Sequence, residues 1–164
     1  MLGADGELAR LFKSGVRYAF IAVGYIGDCA ARKKIDRYLT RLGFGLPHVA
    51  HPDAVVARGV EIGDGAFIAA GAVINPGVRI GRNAIINTSS SVDHDCVIGD
   101  YVHIAPGAVL SGGVKVGDET HVGAGAVVIQ RLVIGRKCMI GAGQTIRSGM
   151  ADRDKSFGAG RAGL

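Results

Sequence analysis

The chain has 164 residues, enough for one main domain and a small appendage, and carries a net charge of +5. Tryptophan is absent and no basic run interleaves with aromatic rings, which argues against a nucleic-acid surface, and no apolar run approaches membrane-spanning length. Cys29, Cys96 and Cys138 are odd in number and lack zinc spacing, so neither a disulfide framework nor a structural metal is indicated, and a reduced, cytoplasmic setting is expected.

The first elements fall in residues 1–49. A short helix is expected over residues 7–13, then a buried strand over 16–24 ending at Gly24. A helix over residues 28–42 follows, with Ile35, Leu39 and Leu42 on one side and Arg32, Lys33, Lys34, Arg37 and Arg41 around the remainder. Gly43 and Gly45 end it, and residues 46–49 read as one more short strand. This order is half of a doubly wound α/β module. Only Met1 precedes Leu2, so the module's first βα unit is expected to be either absent or lost in defining the start.

From Val56 every sixth residue is aliphatic, through Ile62, Ile68 and onward without a break to Ile146. The position two before each is small or modestly apolar, with Gln144 the outlier. A six-residue period fits neither a helix at 3.6 nor an alternating strand at 2. It fits a parallel β-helix, in which stacked coils build the core that no single repeat can bury. Glycines recur three residues past the inward aliphatic, as at Gly77 and Gly113, where a corner needs backbone that other residues rarely adopt. Three such sides make an eighteen-residue triangular coil, and about five coils at roughly 4.8 Å each give a prism about 24 Å tall. The solenoid is expected over residues 50–147, with an irregular tail over 148–164.

The densest polar cluster runs through residues 87–103. His94 and Asp95 stand two and three residues past inward Val92, the corner positions that Pro76 and Gly77 occupy one coil earlier. A histidine at a corner titrates near neutrality and a neighbouring carboxylate favours its protonated form, which are the needs of a general base; solvated turn residues are the alternative. His103 directly precedes inward Ile104 and is expected to project outward from a flat side. His103 and His121 lie eighteen residues apart, hence on adjacent coils, where they read either as a zinc-binding pair or as surface stacking. No third ligand has matching spacing, and no metal is expected. Cys96 and Cys138 fall at inward positions and read as small buried hydrophobes.

The stretch over residues 86–104, with Asn87-Thr88-Ser89-Ser90-Ser91-Val92-Asp93-His94-Asp95-Cys96 at its centre, and the segment Gly112-Gly113-Val114-Lys115-Val116-Gly117 resemble the bacterial sugar acetyltransferases of the sialic-acid and bacillosamine biosynthetic type. The strand ending at Gly24 and Arg32-Lys33-Lys34-Ile35 resemble the second half of that family's N-terminal domain. The resemblance implies a mainly β fold, a left-handed parallel β-helix of hexapeptide repeats with a small partial α/β N-terminal domain, assembled as a homotrimer. It implies transfer of an acetyl group from acetyl-CoA to an amino or hydroxyl group of a nucleotide-sugar. His94 would accept the proton, Asp95 raise its basicity, His103 contact acetyl-CoA near the thioester, Gly112 line the cofactor's cleft and Gly24 touch the acceptor. Arg131, Arg136, Lys137 and Arg147 read either as contacts for the CoA phosphates or as a solvated basic face. Three features depart from the family's pattern: the first βα unit, with the glycine-rich turn that helps to hold the nucleotide-sugar, is missing, the connection over residues 25–31 is longer, and residues 158–162 stand in place of the closing Gly-x-Pro-Ala segment. A carbonic-anhydrase-like zinc enzyme and a non-catalytic trimeric scaffold are the competing readings.

Overall fold

Among the described residues, eighteen two-residue strands, each separated from the next by a turn, wind the chain into three flat faces. The computed structural model describes residues 5–157. The first face stacks Val49–Ala50, Phe67–Ile68, Ile85–Ile86, His103–Ile104, His121–Val122, Met139–Ile140 and Lys155–Ser156. The second carries six strands from Val55–Val56 to Thr145–Ile146, and the third five from Glu61–Ile62 to Val133–Ile134. All pairings are parallel, and from Val49 to Ile146 each residue pairs with the one eighteen further on, as in His103 with His121. The fold is the expected mainly β, left-handed parallel β-helix.

The inward ladder packs the core. Ile68, Ile86, Val92, Ile104, Leu110, Val122 and Ile140 have no exposed surface, and Ala66, Ala72, Ala84, Cys96, Val102 and Ala108 complete each layer. Val56 and Ile62 are only partly buried, because the stack is open at that end. Cys96 and Cys138 are inside, as their frame positions require.

The tail departs from expectation. Instead of becoming irregular, the chain makes one coil two residues short: Met150 bridges Ile134, and Lys155–Ser156 pairs with Met139–Ile140, sixteen residues on. A seventh rung at about 4.8 Å spacing takes the first face to roughly 29 Å. Residues 158–162, which replace the family's closing segment, lie outside the described residues.

The N-terminal part holds α1 (Leu8–Lys13) and α2 (Ala30–Leu42). Residues 16–24 do not form the expected buried strand. Tyr18 makes a single parallel bridge to Gly45, Val16 and Val23 are exposed, and only Ile21 is buried, against Leu39, Phe44 and Leu46. The expected strand over 46–49 begins instead at Val49 as the first rung of the prism. α2 does present Leu39 inward and stops at Gly43, whose φ of 94° continues into a left-handed cap. Arg32, placed by the sequence among the outer cations, is 1% exposed.

Candidate active site

His94 sits on the turn between Ser91–Val92 on the second face and Val97–Ile98 on the third. Along this edge Gly77, Asp95, Gly113 and Arg131 occupy equivalent places on successive coils, all with positive φ. Asp95 thus takes, at φ 58°, a backbone conformation that glycine supplies in the coils on either side. Its Oδ2 lies 2.8 Å from His94 Nδ1. A carboxylate only accepts, so Nδ1 carries the hydrogen and Nε2 keeps the free lone pair. The His94 amide donates to Asp93 Oδ1 at 2.8 Å, which also accepts from Asn75 Nδ2 at 3.0 Å, so the turn is braced from the coil before it.

The bond to Asp95 and the charge of Asp93 raise the His94 pKa above the ordinary histidine range, while Arg131 opposes them. The ring stays 61% exposed. Gly112, one coil on, is buried beneath it, and a Cβ there would stand 2.6 Å from Nε2. His94, Asp95 and Gly112 therefore form one cluster, an imidazole whose unbonded Nε2 stands over a floor without a side chain.

The remaining two candidates are elsewhere. Gly24 and His103 share an open pocket of about 220 Å³ on the first face, walled by residues 20–24, Arg32, Phe67, Ile85 and Asn87. In a triangular prism that face lies opposite the edge bearing His94. His103 stands on the outer side of its strand but is 7% exposed, because residues 25–31 lie across it. The Tyr25 carbonyl accepts from its Nδ1 at 2.8 Å, and the Tyr25 ring packs edge-on at 5.6 Å. Burial and the charge of Arg32 lower its pKa. His121 is also buried and stacks edge-to-face on His103 at 4.8 Å. Among the described residues no three His, Cys, Asp or Glu side chains converge to hold a metal ion.

Three contributors were not singled out from the sequence. Asn87 lay in the polar cluster, and its Nδ2 approaches His103 Nε2 at 3.1 Å. Arg32 lies under the pocket and gives its guanidinium to the carbonyls of Ile21, Val23, Gly65 and Asn83 at 2.7 to 3.2 Å. Asp36 takes two bonds from Arg82, at 2.6 and 3.1 Å, and one from the Tyr101 hydroxyl, which lower its pKa against the effect of burial. This network clamps α2 onto the prism and so fixes where Gly24 and Tyr25 emerge.

Two family descriptions match the solenoid: bacterial transferase hexapeptide (six repeats) over residues 77–112, and hexapeptide repeat of succinyl-transferase over residues 53–76. The fold and repeat define a hexapeptide-repeat transferase. A variant of perosamine N-acetyltransferase from Caulobacter crescentus, solved in complex with CoA and GDP-perosamine, is 38% identical; the match covers 93% of this chain and 71% of that one, with a TM-score of 0.88. The acetyltransferase domain of PglB from Neisseria gonorrhoeae, solved with acetyl coenzyme A, is also 38% identical, over 82% of this chain and 64% of that one, at a TM-score of 0.77. WeeI from Acinetobacter baumannii is 32% identical, over 77% and 62%, at 0.74. No curated protein sequence matches the chain. The chain belongs to the hexapeptide-repeat sugar N-acetyltransferases, the family that the residues around His94 resemble. That membership favours acetyl transfer over the zinc-enzyme and scaffold readings.

Proposed function

We propose that the protein transfers the acetyl group of acetyl-CoA to an amino group of a nucleotide-linked sugar, with His94 as general base. The observation that carries this reading is the His94–Asp95 bond at 2.8 Å, which leaves Nε2 free above Gly112. Nε2 takes a proton from the sugar amine as its nitrogen attacks the thioester carbonyl. The C–N bond forms, the C–S bond breaks as the adduct collapses, and the proton passes to the departing CoA sulfur. General-base help of this kind is worth about 10² to 10⁴ in rate. The bare floor at Gly112 gives the narrow thiol arm of acetyl-CoA room beside His94, and Arg131, one coil beyond Gly113 on the same edge, suits its phosphates. Support for these cosubstrates comes from the Caulobacter relative, which was solved with CoA and GDP-perosamine.

The reading includes a homotrimer. Gly24 and His103 lie on the first face and His94 on the opposite edge, so acceptor-binding and proton-accepting groups of one chain stay apart. A neighbouring copy supplies the missing wall. In favour of this, the outer row of the second face reads Val55, Val73, Ser91, Val109, Val127 and Thr145, an uncharged, mostly β-branched surface bordering the His94 edge. A cytoplasmic setting goes with it, since all three cysteines are free and buried.

The test is acetyl-CoA consumption by the purified protein against amino- and hydroxyl-bearing nucleotide-sugars, with and without a metal chelator. Turnover with an amino sugar, lost in His94→Ala while the assembly persists, is expected. Turnover that chelator abolishes would favour the zinc reading, and none with any acceptor would leave the scaffold.

A further inference from the structure

The cations that hold this fold together have partners. Arg32 gives its guanidinium to four carbonyls, Arg82 binds Asp36, and Lys33 meets Glu119 at 2.9 Å. The outward stripe of α2 is different. Lys34, Arg37 and Arg41 follow one another at spacings of three and four, so they leave the helix on the side away from buried Leu39, and all three are exposed. Among the described residues none of the three meets a carboxylate. Like charges at this spacing repel, and the helix dipole favours only Arg41, which stands in the last turn. Folding alone gives no reason to gather them.

The patch continues past the end of α2. Phe12 packs against Phe44 and the Gly43 cap, the Arg17 guanidinium lies over the Phe12 ring at 4.8 Å, and Lys13 and Arg17 are exposed and without a carboxylate partner among the described residues. Val16 and Tyr18, on either side of Arg17, are 42% and 72% exposed. The charge of the chain is concentrated in the same part. Residues 1–49 hold eight Lys or Arg against four Asp or Glu, which is +4 of the chain's +5. Of those four acids, Asp36 is buried against Arg82 and Glu7 is paired with Arg10.

We propose that this face docks on an anionic lipid surface. Lys34, Arg37 and Arg41, with Lys13 and Arg17, lie among the phosphate headgroups, and Val16 and Tyr18 enter the interfacial layer beside them. From Lys34 to Arg41 the stripe runs about 10 Å along the helix, a spread of point charges that fits a plane of headgroups rather than one phosphate. No helix among the described residues is long and apolar enough to cross a membrane, so the attachment is peripheral. It does not depend on the acetyl-transfer reading, since these residues belong neither to the His94 cluster nor to the wall of the pocket around Gly24.

The experiment is co-sedimentation of the full chain with vesicles of phosphatidylcholine alone and of phosphatidylcholine mixed with phosphatidylglycerol. The protein should pellet with the mixed vesicles and stay in solution with the neutral ones. Binding should fall steeply between about 0.1 M and 1 M salt, as the screening length drops from about 10 Å to 3 Å. Each cation near an anionic bilayer is worth about fivefold in partitioning, so Lys34→Gln, Arg37→Gln and Arg41→Gln combined should weaken binding about 100-fold. Arg58→Gln, Arg79→Gln and Lys115→Gln combined remove the same charge from exposed positions on the prism and should leave binding nearly unchanged. Equal losses in the two triple variants would reduce the effect to net charge and overturn the assignment. Failure of the unmodified protein to pellet with the mixed vesicles would overturn it too, and leave an acidic protein as the partner for this face. So would release by inorganic phosphate beyond that by sodium chloride of equal ionic strength, which marks a discrete phosphate site. Melting temperatures of both variants separate lost docking from lost fold, and the salt series on the unmodified protein decides the matter if the α2 variant melts early. Acetyl-CoA turnover by the α2 variant without vesicles should match that of the unmodified protein.

Discussion

Gly112 lies directly under the His94 imidazole, so close that a single methyl group there would stand 2.6 Å from Nε2. Their contact follows from the coil length, since the two positions are eighteen residues apart on the same edge. The atom that would have to yield is the far end of an exposed side chain, so Gly112→Ala should leave the fold's stability nearly unchanged. The displaced nitrogen is the one proposed to take the proton. Misplacement by about 1 Å is enough to cost roughly 10² in rate, and kcat should fall by about that factor while the melting temperature holds. Full activity in this variant would remove Nε2 from the mechanism.

Asp95→Asn separates basicity from position. The carboxylate raises the His94 pKa, and His94 must be neutral to act, so activity rises as pH climbs through that value. Replacing the carboxylate by an amide lowers the pKa and moves the acid limb of the pH–rate profile to lower pH. The plateau should also drop, by about 10²-fold, because the weaker base has lost the partner that fixed its tautomer. The profile of kcat/KM between about pH 5 and 9 checks both signs. An acid limb that stays in place would show that another group controls it.

What the sequence revealed and what it hid divide along physical lines. The repeat constrains each inward residue by its own coil and by the coils above and below, so Ile68 through Ile146 could be placed by counting alone. The same count put His94 and Asp95 on an edge. It gave the direction in which His103 leaves the sheet but not what covers it, since residues 25–31 follow no repeat. Arg32 was misread because a helical pattern assigns cations to water, whereas four carbonyls from separate segments collect around its guanidinium. The last rung was missed because the coil joining Met139 to Lys155 has sixteen residues, which throws the six-residue frame out of step.

Val109 tests the assembly. It is 37% exposed in the middle of the uncharged outer row on the second face, between Ser91 and Val127. A surface valine turned to arginine is tolerated by an isolated prism, since its long stem can lie along the sheet with its charge in water. Packed against a second copy it would bury an unpaired charge, which costs several kcal/mol. Val109→Arg should therefore keep the far-ultraviolet circular dichroism spectrum, run as a single chain in sedimentation, and lose acetyl transfer because the second wall is gone. An unaltered trimer would show that another face makes the contact.

His121 predicts how the fold responds to acid. Its ring is 6% exposed, its Nδ1 is buried without a hydrogen-bond partner among the described residues, and burial followed by the neighbouring His103 lowers its pKa to about 4. The unfolded chain, with an ordinary histidine pKa near 6.5, binds the proton more readily. Stability from this site is thus complete above about pH 6.5 and is lost as pH falls toward 4, by on the order of 3 kcal/mol. His103, depressed in the same direction, adds to the slope. His121→Phe removes both the titration and the orphaned nitrogen. Urea midpoints measured from about pH 7.5 to 4.5 should show the variant at least as stable at neutral pH, with a gap in its favour that widens as pH falls. Parallel curves for the two proteins would mean that His121 takes up its proton as readily folded as unfolded.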